Sequence, residues 1–502
     1  MLTMRALTRL ICAAALALML PTNADATWSI VLADEETNEV AVGTVTCLNN
    51  YDLLAIVPVV VVGKGGAAVQ ASGDFDGERR PIIFDNLLIG TTPEEILQLL
   101  SAIPGHQSRQ YGIVDTQGRE ITFTGVNCFQ WAGGVVGAQG SLHYAIQGNI
   151  LAGDCVVPAI EQAILDTNGD IPAKLMAGME AARVNGGDGR CSCSPNNPTG
   201  CGCPPDDFDK SGHIGGMVVA RIGDTDDDDC DQNGCVDGDY VMRLNVAFQG
   251  DGEPDPVTQL QALFDTWRAD LIGRPDAIQS IATIDPPHIP PNGVSTTTMD
   301  ITLLDWQGEP ISVDIESLTV EHAPDSAGLS SIGEVVDNGD GTYRVELTAG
   351  EEVGVDRFHV TADDGVRPVI LMPLPMLEYF RLGDINYDGV VNTVDLLMLL
   401  AAWGDCPDPP ELCPADIDGD GTVNTADLLL LLATWGAPPP PPCPWDFNGD
   451  GVVDELDEQI LMDNWGDCPD PPEECPWDFN GDGTVDFQDL NELLDHYGPC
   501  PE

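Results

Sequence analysis

The chain has 502 residues, of which 83 are Asp or Glu and only 19 are Lys or Arg, so its formal net charge at pH 7 is −64. A surface this acidic repels nucleic-acid phosphates and anionic lipids, which excludes both as partners and favours divalent cations. A chain of this length predicts several domains, and part of the acidity serves only to keep them soluble.

The first 26 residues have the pattern of a secretory signal peptide. Two arginines, at positions 5 and 9, precede an apolar run over residues 10–20, and a small-x-small cleavage site ends at Ala26. The apolar run is too short to span a bilayer, and no later segment is long and apolar enough to do so. We therefore expect a secreted, extracellular protein without a membrane span, either released or attached to the cell surface through a partner.

The cysteine count agrees with export. The chain has 16 cysteines, and Cys12 would leave with the signal peptide, so 16 minus 1 leaves 15. Cysteines in this number fit an oxidising compartment. Because 15 is odd, we expect one thiol to be unpaired or to pair between chains.

Residues 27–275 alternate strand-like and helix-like segments, which predicts a mixed α/β layered domain. Alternating apolar residues predict strands in TWSIVLAD, NEVAVGTVTC, the hairpin RQYGIVDTQGREITFTG, HYAIQGNIL, GGMVVARIG and DYVMRLNVAF. Helical periodicity and N-terminal caps predict helices in TPEEILQLLSAI, VVPAIEQAILDT, IPAKLMAGMEAARV and PDPVTQLQALFDTWRADLI. The Gly-, Pro- and Cys-rich segment 186–212 is expected to be a disulfide-stapled surface loop.

A second irregular segment is strongly acidic. Residues 224–239 read DTDDDDCDQNGCVDGD, and Cys230 and Cys235 could close this loop. The acids lack the twelve-residue spacing of a calcium loop. We therefore interpret the segment as a solvated loop, with adventitious calcium binding as the alternative.

Residues 276–290 contain IDPPHIPPNG and predict a stiff Pro-rich linker. From residue 291 to 380 the pattern becomes all strand, with short alternating segments separated by Gly, Asp and Asn turns, which predicts a β-sandwich. The segment DNGDGTYRVEL resembles a hairpin of the immunoglobulin-like repeats in bacterial adhesins and filamins. This resemblance implies a spacer more than an activity.

Residues 381–502 contain an internal repeat at a spacing near thirty residues. The segments DINYDGVVNTVD, DIDGDGTVNTAD, DFNGDGVVDELD and DFNGDGTVDFQD place oxygen ligands at positions 1, 3, 5, 9 and 12, a backbone carbonyl at position 7 and glycine at position 6. This spacing is typical of a calcium loop, in which glycine permits a sharp turn and oxygen ligands surround a hard cation. An acidic turn without an ion is the alternative, which four aligned repeats disfavour.

The predicted calcium ligands follow from the twelve-residue register, with up to four Ca²⁺ ions in all. They are Asp384, Asn386, Asp388, Val390, Asn392 and Asp395 in the first loop, Asp416, Asp418, Asp420, Thr422, Asn424 and Asp427 in the second, Asp446, Asn448, Asp450, Val452, Asp454 and Asp457 in the third, and Asp478, Asn480, Asp482, Thr484, Asp486 and Asp489 in the fourth.

Two features of these loops resemble type I dockerins, the small all-α calcium modules of cellulosome-type assemblies. Position 12 is Asp rather than Glu, and each loop has a helix after it and none before it. The repeats form two dockerin-like pairs, 381–437 and 438–502. The resemblance implies a cohesin-like or other extracellular protein receptor and a polysaccharide-degrading setting.

Three disulfides are expected within these pairs. Cys406–Cys413 and Cys468–Cys475 lie at matching places in WGDCPDPPELCP and WGDCPDPPEECP, and Cys443–Cys500 would complete the set. The apolar helix faces after the loops either form the core of each pair or bind a partner.

The N-terminal segment resembles an uncharacterised bacterial family, a domain of unknown function with an Ntn-hydrolase-like fold. The segments that carry the resemblance, in order, are TWSIVLADEETNEVAVGTVTC, GGAAVQA, RQYGIVDTQGREITFTG, WAGG, IQGNILAG, GGD, DYVMRLNV and PDPVTQLQALF. The fold implied for residues 27–275 is a four-layered αββα arrangement.

That fold makes Thr27 a candidate nucleophile. Signal cleavage after Ala26 would expose its α-amine, whose unperturbed pKa of roughly 7.7–8 suits it to accept the proton of the threonine hydroxyl. A backbone or amide group would then hold the oxyanion of an amide substrate. Alternatively, Thr27 only begins a strand, and cleavage after Ala24 would leave its nitrogen in a peptide bond.

Five further residues match motif positions of this family: Gln70, Arg109, Gln147, Asn149 and Asp188. The last four are candidates for supporting roles. Asn149 or Gln147 could donate to an oxyanion, Arg109 could bind a carboxylate and Asp188 could orient a group. Each also suits a purely structural role, since QGN and GGD are good turn formers. Cys128 and His143 are expected to be core residues or, for Cys128, a disulfide partner, rather than a nucleophile pair.

The sequence therefore predicts a secreted modular protein with a possible Thr27 amidohydrolase, an immunoglobulin-like spacer and calcium-dependent docking modules. The alternative functions are a non-catalytic extracellular scaffold or adhesion protein and an accessory component of a polysaccharide-degrading assembly.

Overall fold

The computed structural model describes residues 27–226, 230–324, 326–350, 352, 354–379, 383–386, 390–406, 413–417 and 421–436, and shorter stretches between residues 445 and 499. The predicted signal peptide lies outside the described residues. The chain divides into two compact units, the first formed by residues up to 287 with 296–348 and 355–377, and the second by 288–295, 349–354 and 378–502. Among the helices of the described residues, none is long and apolar enough to cross a membrane.

The N-terminal part of the first unit alternates strands and helices. Its strands are β1 (Thr27–Asp34), β2 (Val40–Thr46), β3 (Pro58–Val61), β4 (Gly65–Gln70), β5 (Gln110–Asp115), β6 (Glu120–Thr124), β7 (Ala132–Gln139), β8 (Leu142–Asn149), β9 (Ile214–Ala220) and β10 (Met242–Val246). Its helices are α1 (Arg80–Leu88), α2 (Pro93–Ser101), α3 (Val156–Asp166), α4 (Ile171–Val184), α5 (Gly189–Ser192) and α6 (Pro256–Asp270).

These strands form two sheets that stack face to face. The larger sheet has the order β10-β9-β2-β1-β8-β7 and the smaller one the order β3-β4-β5-β6. Apolar side chains of β1, β2 and β9 pack on α3, α4 and α6 on one side and on the smaller sheet on the other. The opposite face of the smaller sheet packs on α1 and α2. The order of layers is therefore helix, sheet, sheet, helix.

Double coverage explains the composition of the central strands. Strands β1 and β2 are buried along almost their whole length, with TWSIVLAD and VAVGTVT facing protein on both sides. A strand buried on both faces needs near-continuous apolar residues rather than strict alternation. The polar residues Thr27, Ser29 and Thr44 interrupt this apolar pattern, and each is buried.

Local capping fixes where the helices begin. Thr92 accepts a hydrogen bond from the backbone of Glu95, whose carboxylate accepts one from the backbone of Thr92 at 3.1 Å. This capping box stabilises the first turn of α2, as the threonine and the acidic residues of its sequence predict. Asp170 and Asp255 cap α4 and α6 more simply, each accepting one backbone hydrogen bond, from Ala173 and Val257 respectively.

The remainder of the first unit is a β-sandwich. Its strands are β11 (Ile281–Asp285), β12 (His288–Ile289), β13 (Thr296–Thr302), β14 (Ser317–His322), β15 (Ser331–Ile332), β16 (Val336–Asp337), β17 (Thr342–Thr348), β18 (Gly354–Asp363), β19 (Pro368–Ile370) and β20 (Met376–Tyr379), although β12 and part of β20 belong to the second unit. One sheet pairs β11, β13, β17 and β15, and β18 pairs with β14 and β19. Residues 281–285 of the predicted linker are thus an edge strand of the sandwich.

Within the first unit, the sandwich packs directly on the α/β domain. The indole nitrogen of Trp306 donates to the backbone oxygen of Arg268 at 3.0 Å, and the Arg268 guanidinium lies 4.5 Å from the Trp306 ring. The guanidinium of Arg274 donates to the Asp364 carboxylate at 2.6 Å, and that of Arg367 donates to the Asp224 carboxylate at 2.6 Å. Aromatic and ionic contacts of this kind fix the two domains against each other, so the sandwich is more than a spacer.

A buried ionic cluster lies beside this junction. Arg221 forms salt bridges with Glu39 at 2.7 Å and with Asp276 at 2.8 Å, and the side chains of all three residues are almost fully buried. Burial raises the pKa of Glu39 to about 7, an effect that Arg221 offsets only in part. Asp170, 3.8 Å from Arg221, adds a further carboxylate. Arg221 therefore compensates several buried acids at once.

The acidic segment and the second unit contain the remaining described elements. Cys230 and Cys235 are disulfide-bonded, as expected. In the second unit, helices α7 (Thr393–Ala401) and α8 (Thr425–Ala433) share a small core with Val391, Leu399, Val423 and Leu431. The helix α9 (Phe487–Asp495) and the two-residue strands 404–405, 422–423, 452–453, 466–467, 484–485 and 498–499 complete this unit.

The structure also tests expectations about the remaining cysteines. Cys406–Cys413 is formed, whereas Cys468–Cys475 and Cys443–Cys500 lie outside the described residues. Among the described cysteines, Cys128 is a free thiol.

The buried cluster predicts a large effect of removing its cation. Arg221→Met should lower the free energy of unfolding by about 3–5 kcal/mol, because it leaves the buried acids Glu39 and Asp276 uncompensated. Arg344→Met is the matched control, since the ion pair of Arg344 with Asp300 is exposed and should contribute little. Guanidinium denaturation followed by tryptophan fluorescence measures both variants. Equal stabilities of the two variants would contradict the prediction.

Candidate functional site

Thr27 is the first residue of β1, a central strand of the larger sheet. The ends of the two neighbouring strands, β2 and β8, lie beside it. Thr27 pairs with Asn149, the last residue of β8. On the other side β1 pairs with β2, and extending the register Trp28 with Val45 by one residue places Thr46 beside Thr27. Both neighbours are buried. This edge of the sheet, where the strands end, therefore brings Asn149, predicted as a site residue, next to Thr27.

Thr27 is held through its main chain by two buried amide side chains. Its nitrogen donates to Oδ1 of Asn149 at 3.1 Å, and its carbonyl oxygen accepts from Nε2 of Gln70 at 2.8 Å. Thr27 is only 3% exposed, and Gln70 is fully buried in the smaller sheet. Because one amide comes from each sheet, the position of Thr27 is fixed by the packing of the two sheets.

Further polar residues complete this buried network. Gln70 donates to Gln110 at 2.9 Å and accepts from the hydroxyl of Ser29 at 2.5 Å, which is also 3.0 Å from the hydroxyl oxygen of Thr44. Gln110 in turn donates to the Gly148 carbonyl at 2.8 Å. We name these residues the Thr27 network: Thr27, Ser29, Thr44, Gln70, Gln110 and Asn149.

Gln147 is placed differently from the other amides. It is fully buried opposite Ser29 and packs against Gly112 of the smaller sheet. In the described part of the chain, neither its amide nitrogen nor its amide oxygen has a hydrogen-bond partner. A buried amide without hydrogen-bond partners is costly in free energy. The side chain of Gln147 therefore has an unsatisfied donor and an unsatisfied acceptor beside the network.

Backbone strain follows both amides that hold Thr27. Ala71, after Gln70, has φ of 77°, and Ile150, after Asn149, has φ of 51°. The left-handed region is unfavourable for a side chain with a Cβ and is rare for a β-branched residue such as Ile. Ile150 is held there by hydrogen bonds to Phe129 at 3.2 Å and from Gly189 at 2.9 Å. Such strain is concentrated at functional positions.

A cleft of about 1040 Å³ lies at the same edge. Cys47 and Ile150, which directly follow Thr46 and Asn149, both line it. Its other walls come mainly from the irregular segment 186–212, which includes α5 and Arg190. We name this feature the stapled cleft, because the disulfide Cys47–Cys191 crosses its wall.

Asp188 and Arg190 form an ion pair beside this cleft. The Asp188 carboxylate is fully buried and accepts from Arg190 Nη2 at 2.8 Å and from the Cys47 nitrogen at 2.7 Å. Arg190 also donates to the hydroxyl of Thr46 at 3.3 Å. The structure thus places Asp188 against Arg190, a residue that the sequence analysis missed because nothing in GGDGRCSC distinguishes it from a loop arginine.

Arg109 lies away from Thr27. The charges that act on it belong to Arg79, Asp76 and Asp74, and burial together with Arg79 lowers its pKa. Its neighbour Gln110 points between the sheets into the Thr27 network. Among the described contacts, none joins Arg109 to that network.

Cys128 and His143 are not brought together as a reactive pair. Burial raises the pKa of the Cys128 thiol, which donates to the Arg109 carbonyl. His143 lies between Glu120 and Glu35, and although burial disfavours its charged form, these carboxylates raise its pKa. Both residues therefore have structural surroundings.

In the second unit, the final aspartate of each calcium-type loop is fully buried. Asp395 accepts backbone hydrogen bonds from Ile385 at 2.8 Å and from Asn392 at 2.8 Å, and Asp427 accepts from Ile417 and Asn424, both at 2.7 Å. The equivalent Asp457 and Asp489 are also fully buried. In the first two loops, this carboxylate therefore joins the start of the loop to the start of its helix.

The described donors fit a hard divalent cation. Each loop brings a fully buried carboxylate together with further oxygen donors, and a buried negative charge needs a compensating cation. Asp384, Asn386, Val390, Asn392, Asp416, Thr422, Asn424, Val452 and Thr484 lie in described parts of the loops. The predicted ligands Asp388, Asp418, Asp420, Asp446, Asn448, Asp450, Asp454, Asp478, Asn480, Asp482 and Asp486 lie outside the described residues.

The C-terminal helices also expose apolar side chains at repeated positions. Leu397 of α7 is 66% exposed and Leu429 of α8 is 65% exposed. Trp403 and Trp435, which follow the two helices at equivalent places, are exposed as well. The repeat therefore presents two similar apolar patches, which we name the helix patches (Val394, Leu397, Leu400, Trp403; Leu429, Leu432, Trp435).

Comparison with known families identifies three domains. The model of a family of unknown function, DUF1028, matches residues 27–195, that of invasin domain 3 matches residues 276–367 and that of the dockerin type I domain matches residues 382–433. The chain thus carries an N-terminal DUF1028 domain, an immunoglobulin-like invasin domain and a type I dockerin domain, which confirms the resemblances in the sequence. A dockerin domain supports calcium binding and a protein partner, and with the invasin domain it indicates an extracellular protein.

Solved structures give weaker similarities. A DUF1028 protein from Silicibacter pomeroyi is 19% identical over 48% of this chain and 88% of its own, with a TM-score of 0.35. The Yersinia pseudotuberculosis adhesin InvE is 22% identical over 20% of this chain and 26% of its own, with a TM-score of 0.17. The Escherichia coli adhesin FdeC is 16% identical over 33% of this chain and 40% of its own, with a TM-score of 0.18. The chain therefore spans less than half of either adhesin, and no curated protein matches it.

The Thr27 network predicts that its central amide is essential for stability. Gln70→Leu should lower the free energy of unfolding by about 2–4 kcal/mol, because it leaves buried groups of Thr27, Ser29 and Gln110 without partners. Gln139→Leu is the matched control, since Gln139 is exposed at the end of β7 and the described hydrogen bond of its side chain goes to the Leu165 carbonyl at 3.3 Å. Thermal unfolding of both variants tests the prediction, and a neutral Gln70→Leu would refute it.

Proposed function

We propose that the protein is an exported, modular amidohydrolase that uses Thr27 as an N-terminal nucleophile and attaches to an extracellular protein partner through calcium-dependent docking modules. The observation that carries the catalytic half is the 3.1 Å hydrogen bond between the Thr27 nitrogen and Asn149 at the inner edge of a doubly covered sheet. This hydrogen bond fixes the backbone nitrogen of Thr27, whose side-chain hydroxyl is a potential nucleophile.

In the proposed mechanism, removal of residues 1–26 gives Thr27 a free α-amine. The Asn149 carbonyl accepts one N–H of this amine, and Gln70 fixes the adjacent Thr27 carbonyl. The amine lone pair then accepts the proton of the Thr27 hydroxyl as Oγ attacks an amide carbonyl, because its unperturbed pKa of roughly 7.7–8 lies near neutrality. The same group returns the proton to the leaving amine.

Gln147 supports the second requirement of this chemistry, stabilisation of the oxyanion. Its amide group is buried and uncommitted beside the Thr27 network, and a fixed amide donor in a dry site stabilises developing negative charge. Asp188 supports the site less directly, by orienting Arg190 at the rim of the stapled cleft. Arg109, which lies elsewhere, takes no part in this proposal.

The helix–sheet–sheet–helix order of layers supports an Ntn-hydrolase-like interpretation of residues 27–275. In such a fold the nucleophile begins a central strand, as Thr27 begins β1 between β2 and β8. The stapled cleft at the same edge supplies space for a substrate.

The docking half of the proposal rests on the second unit. We infer that Ca²⁺ orders up to four loops in two tandem pairs, 381–437 and 438–502, and that the helix patches contact a cohesin-like receptor. Exposed leucines at equivalent positions of α7 and α8 support two similar binding faces. A partner of this kind would place the protein in a polysaccharide-degrading assembly or on a cell surface.

The second candidate function is a non-catalytic extracellular scaffold or adhesion protein. The observation that favours it is the contact of the α/β domain with the invasin-like sandwich through Arg268, Arg274 and Arg367. A rigid assembly of two domains suits the presentation of a binding surface as well as it suits catalysis.

The mechanism predicts that reactivity needs both the hydroxyl and the free amine of Thr27. A β-lactone probe should acylate the mature protein once, at Thr27, as detected by intact mass and peptide mapping. Thr27→Ser should retain the reaction, and Thr27→Ala should lose it. A form that keeps Ala26 before Thr27 should also be unreactive, because the amine is then part of a peptide bond.

The form that keeps Ala26 is the decisive control, since its side chains are those of the mature protein. Equal acylation of this form would exclude the amine as the base. Absence of acylation from mature protein whose N-terminus is proved to be Thr27 would favour the scaffold function.

The docking proposal predicts that calcium affinity depends on the buried loop aspartates. Replacing Asp395 and Asp427 by Asn should weaken calcium binding by the first pair at least about tenfold, because each loses a charged oxygen ligand. Asp405→Asn is the matched control, since Asp405 is exposed and lies outside the loops. Isothermal titration calorimetry on the full chain measures both, and an unchanged isotherm for the double variant would contradict the assignment.

A further inference from the structure

We propose that the Cys47–Cys191 disulfide is a thiol–disulfide exchange site for a low-molecular-weight thiol, with His213 assisting departure of the Cys191 sulfur. The proposal concerns the stapled cleft and does not depend on catalysis by Thr27. It is carried by the juxtaposition of an open cleft, a disulfide in its wall and a histidine in contact with one of the two sulfurs.

Access to the sulfurs is provided by the cleft. Cys47, Cys191 and His213 all line its volume of about 1040 Å³, and both cysteines are partly exposed. The disulfide joins residues 144 positions apart, the end of β2 and the short helix α5. A thiol of the size of glutathione can therefore reach the bond from solvent without unfolding of the domain.

The surroundings distinguish the two sulfur atoms. Nε2 of His213 lies 3.5 Å from Sγ of Cys191, and a neighbouring imidazole stabilises a departing thiolate. At the other sulfur, the described hydrogen bonds include no histidine, and the backbone nitrogen of Cys47 donates to the carboxylate of Asp188 at 2.7 Å. Exchange should therefore retain Cys47 in the new disulfide and release Cys191.

The charged groups around His213 support its role as a hydrogen-bond donor to the departing sulfur. Asp251 lies 3.2 Å from Nε2, and Lys210, Asp188 and Arg190 act on the ring at longer range. Burial, followed by Lys210, lowers the pKa of His213. Nε2 faces both the carboxylate of Asp251 and Sγ of Cys191, so it carries the ring proton and can donate a hydrogen bond to the released sulfur.

The exchange balances as follows. The incoming thiol attacks as its thiolate, having lost its proton to water, and its sulfur forms a bond to Sγ of Cys47. The bond between Cys47 and Cys191 breaks, its electron pair remains on Sγ of Cys191, the N–H of His213 Nε2 donates a hydrogen bond to that thiolate, and the thiolate then takes a proton from water. A second small thiol then attacks the mixed disulfide at the sulfur that came from the first one. The two small thiols leave as a disulfide, and Sγ of Cys47 takes the proton of the second thiol and becomes a thiol.

A neighbouring disulfide provides an internal control. Cys193–Cys201 belongs to the same irregular segment, and Cys201 is exposed. If exposure alone set the rate, this bond would be reduced at least as quickly as Cys47–Cys191. The proposal requires the opposite order, because the described hydrogen bonds of Cys193 Sγ lead to the backbone oxygen of Asn197 rather than to a histidine.

The experiment treats the native full chain with glutathione, quenches with iodoacetamide and maps modified cysteines by mass spectrometry over time. Reduction of Cys47–Cys191 should be at least about tenfold faster than that of Cys193–Cys201, with the glutathione adduct on Cys47. His213→Leu should slow only the first bond, at least about tenfold, and His213→Gln should restore part of the rate by supplying a hydrogen-bond donor.

Three outcomes would overturn the proposal. They are equal rates for the two disulfides, an adduct on Cys191, or a His213→Leu variant with unchanged reduction of Cys47–Cys191. The rate at Cys193–Cys201 reports the folding of the variants, because misfolding would accelerate both bonds. Acylation of Thr27 is measured separately, so its failure leaves this test intact.

Discussion

A polar group can be buried between two packed sheets only if its hydrogen bonds are satisfied there, and the N-terminal domain is organised by this constraint. The larger sheet is covered on both faces, so Ser29, Thr44, Gln70 and Gln110 have no access to water and bond one another. Because the partners come from different sheets, the network fixes the relative position of the sheets. The same contacts hold the main chain of Thr27, which makes positioning of the candidate nucleophile a consequence of core packing.

Scarcity of cations imposes a second constraint. The chain has 19 Lys and Arg against 83 acids, and some of its arginines each pair with more than one carboxylate. Arg221 is shared by Glu39 and Asp276, and Arg367 by Asp224 and Asp239. These shared arginines, with Arg268 and Arg274, lie at or near the junction of the α/β domain with the sandwich. The contacts between the α/β domain and the sandwich therefore use several of the few cations in the chain, where two acidic parts of the chain meet.

The sequence predicts the elements whose signal is local, and misses those that depend on distant partners. Strand alternation, the capping box at Thr92 and the calcium-type loops are encoded within about a dozen residues. Strand β7, AGGVVGAQ, has glycines that hide its pattern, and helix α1, RPIIFDNLL, has apolar residues on more than one side. Thr27 and Asn149 were predicted from motifs. Gln70 was predicted as a motif match without an assigned role. Gln110 was missed, since a glutamine in a strand predicts a solvent-facing position.

In the irregular segment 186–212, the same disulfides stabilise the domain and hold the wall of the stapled cleft in place, so both depend on the redox state of the cysteines. Rich in Gly, Pro and Asn, it buries too little apolar surface to order itself, and disulfides replace the missing core. In the chain-entropy account, closing a loop of 144 residues restricts the unfolded chain by about 5 kcal/mol, against about 2.5 kcal/mol for a loop of eight. Cys47–Cys191 is thus the most constraining staple of the segment, and it is also the one that faces the cleft beside a histidine. Exchange at this bond would loosen the cleft wall and lower the stability of the domain in a single step.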